Sequence, residues 1–159
     1  MSVARHTEPV RPEWIDYNGH MNVAYYLVAF DNATDALFDA LGFDEAWRKR
    51  TGRSFFAVEG HIRYLGETKL GQVLEVESLL LAVDAKRIHY FHTMRVQGSP
   101  AIAATFESLS LHVDMATRRS APFAPEDLAR ARAAVSTLPP PEGVGRAVTM
   151  GAQPQPSRK

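Results

Sequence analysis

The segment between Pro12 and Asn22 holds the residues most able to do chemistry. It reads PEWIDYNGHMN and joins carboxylates, an imidazole, amides and aromatic rings just before a predicted helix. A helix N-terminus offers unpaired N–H groups and a partial positive charge, which suit it to polarise a carbonyl or to hold an oxyanion. Asp16 lies six residues before Asn22, so the loop can bring its carboxylate near those amides, and Gly19 permits a tight turn. The segment therefore indicates a candidate site for chemistry at a carbonyl group.

Each of these polar residues also has an ordinary structural explanation. Asp16 could close an Asx turn or cap the helix. His20 could be a structural hydrogen-bonding group instead of an acid or base. Asn22 is first of all a candidate N-cap residue. The residue types alone leave these alternatives open.

The element that must position this segment is a long amphipathic helix. Between residues 24 and 41 the large apolar residues recur at spacings of three, four and seven, which is helical periodicity. Asn22 and Gly42 supply the expected N-cap and C′ residues. The pattern predicts that the polar segment is held at the N-terminus of this helix.

After the helix the apolar period changes to two, which predicts successive antiparallel strands. A short strand is expected near the N-terminus, followed after the helix by four strands and a closing helix, over residues 54–65, 73–83, 87–97, 101–114 and 125–135. In the first of these four strands the apolar residues at even-numbered positions share one face, which is expected to be buried: Phe56, Val58, Ile62 and Tyr64. This order predicts an α+β fold, and the exposed edges of its sheet favour association with a second copy.

The composition fits a single domain and excludes several classes of function. In 159 residues, 18 Lys and Arg balance 18 Asp and Glu, which argues against a nucleic-acid or anionic-membrane partner. The absence of cysteine excludes disulfides, thiolate metal sites and cysteine nucleophiles. Neither a signal peptide nor an apolar run of membrane-spanning length is present, so a cytoplasmic location is expected. Residues 138–159 hold five of the ten prolines, which predicts a domain over 1–137 and a disordered tail over 138–159.

The motif DxxGHMN at residues 16–22, followed by YYL at residues 25–27, resembles the signature of the hotdog-fold acyl-CoA thioesterases, the group similar to 4-hydroxybenzoyl-CoA thioesterase. The resemblance covers residues 8–135. It implies a curved antiparallel sheet wrapped around one long central helix, and a homodimer or homotetramer whose site lies between subunits. It also implies hydrolysis of an acyl-CoA substrate without a cofactor.

The resemblance assigns roles residue by residue. The carboxylate of Asp16 would attack the thioester carbonyl or activate the water that does, and the backbone N–H of Val23 would polarise the carbonyl oxygen. His20 and Asn22 would orient the loop or the substrate. Further residues of the same region are candidates for contact with the substrate: Trp14, Tyr17, Asn18, Gly19 and Tyr25.

A finer resemblance concerns the acyl group. Residues 14–22 together with residues 84–92 resemble the thioesterases of carnitine and betaine metabolism, which act on betainyl-CoA. A quaternary ammonium binds against aromatic faces, and the segment offers several: Trp14, Tyr17, Tyr25 and Tyr26. The same rings could instead line a short apolar acyl pocket or the core.

Several charged residues outside residues 12–22 are weaker candidates for a functional role. Asp31, Asp35 and Asp39 form one stripe of the helix, an ordinary solvated face, although Asp31 is the reserve carboxylate if Asp16 is inert. An outward-facing set on the first strand after the helix could meet a second subunit: Glu59, His61 and Arg63. Basic residues in turns at strand ends are candidates for the phosphates of coenzyme A: Lys86, Arg87, Arg118 and Arg119.

The pair His89 and His92 does not predict a metal site. A spacing of three on a strand places the two imidazoles on opposite faces of the sheet, so they cannot share an ion. We therefore expect no metal. The sequence predicts an acyl-CoA thioesterase, with two alternatives: a hotdog module that binds acyl-CoA without hydrolysing it, and a hotdog hydratase or dehydratase.

Overall fold

The computed structural model describes residues 4–148. Three α-helices lie at α1 Val23–Ala40, α2 Glu45–Thr51 and α3 Pro125–Ala133. Six strands lie at β1 Ala4–Pro9, β2 Arg53–Tyr64, β3 Val73–Val83, β4 Arg87–Val96, β5 Ile102–Asp114 and β6 Arg119–Ser120. A short 3-10 turn over Pro12–Trp14 leads into the polar segment.

All strands join one antiparallel sheet in the order β1-β3-β4-β5-β2, with β6 paired to β5. Helix α1 contacts β1, β3 and β5, so it lies across one face of the sheet. This arrangement is the α+β order that the sequence predicts. Strand β2 forms one edge of the sheet and pairs only with β5 in the described part of the chain.

Helix α1 forms because its local signals agree with its burial. The side chain of Asn22 accepts a hydrogen bond from the N–H of Ala24 at 3.0 Å, and Gly42 adopts a φ of +78° just beyond the C-terminal end. The buried face keeps the predicted spacing: Tyr26, Ala29, Phe30, Ala33, Thr34, Leu37 and Phe38. The predicted helix is confirmed to within about one residue at each end.

Strand β2 departs from the predicted alternation. Phe55, and not Phe56, joins the aromatic cluster, where its ring stacks on Phe38 at 4.5 Å, while Arg118 lies over the ring of Phe56. The cause is a register shift between Ala57 and Glu59, because an extra residue in one strand exchanges the two faces beyond it. The prediction that Phe56, Val58, Ile62 and Tyr64 share one buried face was therefore wrong, and Val58 and Tyr64 are 52% and 47% exposed.

The chain after α3 lies against the sheet as far as the structure describes it. Gly145 donates its backbone N–H to both oxygens of Glu107, at 2.9 and 3.0 Å, and Val148 is buried. Residues 138–148 belong to the predicted tail, and the rest of that tail lies outside the described residues. No helix within residues 4–148 is long and apolar enough to cross a membrane.

Candidate active site

Asp16 begins a tight loop that is closed by the chain itself. Ile15 and Met21 form an isolated antiparallel bridge, and the N–H of Asp16 donates to the carbonyl of His20 at 3.0 Å. The N–H of Gly19, whose φ is +76°, donates to the carbonyl of Asp16 at 3.0 Å. A side chain at that φ would be strained, so glycine suits the turn.

The carboxylate of Asp16 has one held oxygen and one available oxygen. Its Oδ1 accepts a hydrogen bond from the N–H of Asn18 at 2.8 Å, which is an Asx turn. Its Oδ2 accepts none of the hydrogen bonds found in the described chain. The structural role and the catalytic role proposed for Asp16 are therefore compatible, since each uses a different oxygen.

The first turn of α1 leaves one backbone donor unused. The N–H of Ala24 is taken by the Asn22 side chain, and the N–H of Tyr25 donates to the carbonyl of Asn22 at 3.0 Å. The N–H of Val23 has no acceptor among the described residues. A helix N-terminus carries partial positive charge, so this amide is suited to a developing oxyanion.

Asp16 and Val23 line the same cavity, whose volume is about 660 Å³. The cavity brings the loop, the start of α1 and the chain after β2 together, and its lining consists of Asp16, Asn18, His20, Met21, Val23, Tyr26, Tyr64, Leu65, Gly66 and Glu67. The N–H of Met21 donates to the carbonyl of Thr68 at 2.8 Å and fixes these two segments to each other.

The lining residues from the end of β2 and the chain after it were missed by sequence reasoning: Tyr64, Leu65, Gly66 and Glu67. Glu67 lies 3.0 Å from Nε2 of His20, and Tyr64 packs edge-on against Tyr26 with ring centroids 5.3 Å apart. Both follow from where β2 ends relative to the Asp16 loop, which is a long-range relation. The only local signal was Tyr64 itself, a large aromatic residue at the end of an alternating strand.

The predicted aromatic contacts are only partly brought together. Trp14 is buried at 3% exposure, and its ring stacks on Tyr25 with centroids 5.7 Å apart. The guanidinium of Arg11 lies over the Trp14 ring, 5.2 Å from its centroid. Tyr17 points away from the protein and is 97% exposed. Of the four aromatic candidates, Tyr26 alone lines the cavity that contains Asp16.

Asp31 lines a second cavity, also about 660 Å³, between α1 and β2. Its walls include Leu27, Val28 and Val58, together with Glu59. Burial, with a smaller contribution from Asp31, raises the pKa of Asp35 above its usual value. Asp31, the reserve carboxylate, therefore lines a separate groove and not the cavity that Asp16 lines.

The basic candidates for phosphate contact lie at the far end of the sheet. Tyr64 pairs with Ala104, whereas the turn that contains Arg118 and Arg119 follows Asp114, ten residues further along β5. At about 3.4 Å per residue this is at most about 34 Å along the strand. Lys86 and Arg87 lie in the β3–β4 turn at that same end, where Arg87 bonds to Asp84 at 2.7 Å. The guanidinium of Arg118 lies back over the ring of Phe56, nearer the middle of β2.

The two histidines of β4 lie on opposite faces, as their spacing predicts. Nε2 of His89 is 2.8 Å from Glu107 on the outer face. His92 is fully buried on the inner face, where its ring stacks on Phe30 and burial lowers its pKa to about 3.

Comparison with known proteins places this geometry in a family. A model of the thioesterase-like superfamily matches residues 10–131. The chain belongs to this superfamily. A betainyl-CoA thioesterase of Pseudomonas aeruginosa is 46% identical over 143 residues, which cover 88% of this chain and 90% of that protein. An L-carnitine dehydrogenase/betainyl-CoA thioesterase of Rhizobium meliloti is 41% identical over 87% of this chain but only 28% of that protein.

Solved structures share the fold of this chain. A Staphylococcus aureus protein in complex with CoA superposes with a TM-score of 0.80 at 30% identity, covering 92% of this chain and 94% of that chain. The hotdog architecture and the thioester hydrolase class predicted from the sequence are confirmed by these comparisons.

Proposed function

We propose that this thioesterase hydrolyses betainyl-CoA to betaine and coenzyme A, with Asp16 as general base or nucleophile. The observation that carries the proposal is the placement of an available carboxylate oxygen and an unused amide on one cavity, at Asp16 and Val23. The betainyl group is supported by the similarity to a betainyl-CoA thioesterase along nearly the whole of that relative.

Hydrolysis follows from these two groups without a cofactor. As general base, Oδ2 of Asp16 takes a proton from water, the hydroxide adds to the thioester carbon, and the carbonyl oxygen becomes an oxyanion beside the N–H of Val23. As nucleophile, Oδ2 itself forms the new bond and water later cleaves the anhydride. Either way the C–S bond breaks and coenzyme A leaves as a thiolate. In the first route the thiolate takes the proton held by Asp16, and in the second it takes a proton from the water that cleaves the anhydride and restores the Asp16 carboxylate.

His20 and Asn22 act on the geometry of this site. Asn22 sets the direction of the first turn of α1, because its side chain holds the N–H of Ala24 and its carbonyl holds the N–H of Tyr25. His20, which is linked to Glu67, connects the Asp16 loop to the chain after β2. Both residues are positioning residues in this proposal.

The proposal includes a homo-oligomer, as a dimer or tetramer. The edge of β2 is open, and it is flanked by apolar side chains that face water in one copy, with Val58 52% and Leu27 48% exposed. A two-fold axis near the middle of β2 would bring the Arg53 end of one strand to the Tyr64 end of the other. The basic turn of residues 114–119 in a second copy would then approach the cavity and its bound coenzyme A.

A panel of acyl-CoA substrates with thiol release as the readout tests the proposed activity. We expect the purified protein to release coenzyme A from betainyl-CoA faster than from acetyl-CoA or a long-chain acyl-CoA. Tight binding of acyl-CoA without thiol release would favour the binding module. Hydration of an enoyl-CoA without thiol release would favour the hydratase, and either result would contradict hydrolysis.

A further inference from the structure

The length of a betainyl group restricts where its cation can bind. The quaternary nitrogen is two single bonds from the thioester carbon, a separation of about 2.5 Å. Asp31 lies eight residues beyond Val23 along α1, about 12 Å at the usual rise of a helix. A carbonyl held at the amide of Val23 therefore leaves the cation in the same cavity, beside the first turn of α1.

Two tyrosines form an aromatic corner at that point. The rings of Tyr26 and Tyr64 are nearly perpendicular, at 88°, with centroids 5.3 Å apart. Both residues line the cavity, where Tyr26 is 4% exposed and Tyr64 is 47% exposed. The Tyr64 hydroxyl donates to the carbonyl of Val23 at 3.2 Å, and the Tyr26 hydroxyl donates to the carbonyl of Gly66 at 3.1 Å. These bonds hold the rings in place and tie Tyr64 to the residue whose N–H faces the thioester.

The charges that line the cavity also favour a cation. Asp16 and Glu67 contribute carboxylates, whereas none of its lining residues within the described chain is a lysine or arginine. His20 is the one basic side chain of the lining, and it is engaged by Glu67 at 3.0 Å. A cationic acyl group is attracted by this lining, and an acyl group that ends in a carboxylate is repelled.

We propose that the exposed ring of Tyr64, held edge-on by the buried ring of Tyr26, binds the trimethylammonium group of the substrate, with Glu67 as a supporting carboxylate, and so determines specificity for a cationic acyl group. This inference rests on the proposed betainyl-CoA thioesterase activity. It moves the recognition of the cation from the rings of Trp14, Tyr17 and Tyr25 to a corner formed by α1 and the end of β2. Cation–π contacts of this kind discriminate against a neutral group of the same shape.

The test compares betainyl-CoA with 3,3-dimethylbutyryl-CoA, in which a carbon atom replaces the charged nitrogen and the shape is kept. The measured quantity is the ratio of kcat/KM for the cationic substrate to that for the neutral one. We expect this ratio to exceed one in the native protein, to fall by about tenfold in Tyr64→Leu, and to be kept in Tyr64→Phe, which retains the ring. A smaller fall is expected in Glu67→Gln. Tyr64 is 47% exposed, so these variants are expected to fold.

The outcomes separate this inference from the proposed function. If the native protein hydrolyses betainyl-CoA but Tyr64→Leu leaves the ratio unchanged, the aromatic corner does not recognise the cation and the inference alone is wrong. A kcat/KM ratio near one in the native protein would likewise contradict the inference alone. If neither substrate is hydrolysed, the proposed function fails, and the inference fails with it.

Discussion

At the scale of single residues, one oxygen of the Asp16 carboxylate stabilises the loop and the other is available for the reaction. Oδ1 is occupied by the N–H of Asn18, so the loop keeps its shape while Oδ2 is available at the cavity. The motif of residues 16–22 identifies the carboxylate and the helix start from sequence alone. It could not identify Tyr64 or Glu67, because their proximity to Asp16 depends on the register of β2 against β5.

His92 is a neutral histidine whose tautomer is fixed by its neighbours. The hydroxyl of Thr34 donates to the carbonyl of Phe30 at 2.9 Å, so it accepts from Nε2 of His92, also at 2.9 Å. Nδ1 is therefore the acceptor for the hydroxyl of Ser78 at 2.8 Å. This buried network connects α1 to β3 and β4, and it requires the uncharged ring.

The lowered pKa of His92 makes the stability of the fold depend on pH. Burial lowers the pKa of His92 from 6.5 to about 3, so between these values the unfolded chain binds a proton that the folded chain does not. Stability is therefore present at neutral pH and is lost as the pH falls. Between pH 6.5 and 5 we expect the free energy of unfolding to drop by about 1.6 kcal/mol more in the native protein than in His92→Gln. Urea denaturation at both pH values measures this, and equal drops would contradict the assignment.

At the scale of elements, α1 was predictable and β2 was only partly so. The cap at Asn22, the apolar spacing and Gly42 are local signals, and they agree with each other and with burial. The bulge in β2 has no local signal, since Phe55 and Phe56 are both aromatic and either could be the inward residue. Helix α2, which is capped by Asp44, was not predicted because only seven residues carry its pattern.

Asn22 supports both the helix and the site, so its loss is expected to be measurable as stability. In Asn22→Ala the N–H of Ala24 loses its partner, and the free energy of unfolding should fall by about 1 kcal/mol. Asn22→Asp keeps an acceptor at the same place and should be close to the native protein. Denaturant midpoints of the three proteins decide this, and an alanine variant as stable as the aspartate variant would show that the cap contributes little.

At the scale of the whole molecule, the proposed function needs groups that lie at opposite ends of β2 in a single chain. The cavity with Asp16 lies at one end of the sheet, and the basic turns of the same chain follow the other end, ten residues away along β5. Pairing of two β2 edges would bring each cavity near the basic turn of the other copy. Association with a second copy was predictable from the exposed edge of the sheet. The approach of each cavity to the basic turn of the other copy was not, because it depends on the register of β2 against β5.

A carboxylate in the middle of this edge is expected to prevent association. Val58→Glu places a charge beside Glu59 on the exposed apolar surface, which should shift the protein to a monomer and lower kcat/KM for acyl-CoA. Leu70→Glu changes an equally exposed apolar side chain away from that groove and serves as the control. Sedimentation velocity gives the mass of each variant. A native protein that is a stable, fully active monomer would contradict the shared site.

The most direct test of the account is the rate of thiol release from betainyl-CoA by Asp16→Asn and by Asp31→Asn. The asparagine at position 16 retains an acceptor for the N–H of Asn18, so the loop should keep its structure, while the basic and nucleophilic oxygen is lost. We predict that kcat falls by at least about 100-fold in Asp16→Asn with little change in KM. Asp31→Asn, which alters the separate groove, should lower kcat far less. Near-native kcat in a folded Asp16→Asn protein, or loss of turnover confined to Asp31→Asn, would contradict the central claim that Asp16 carries the reaction.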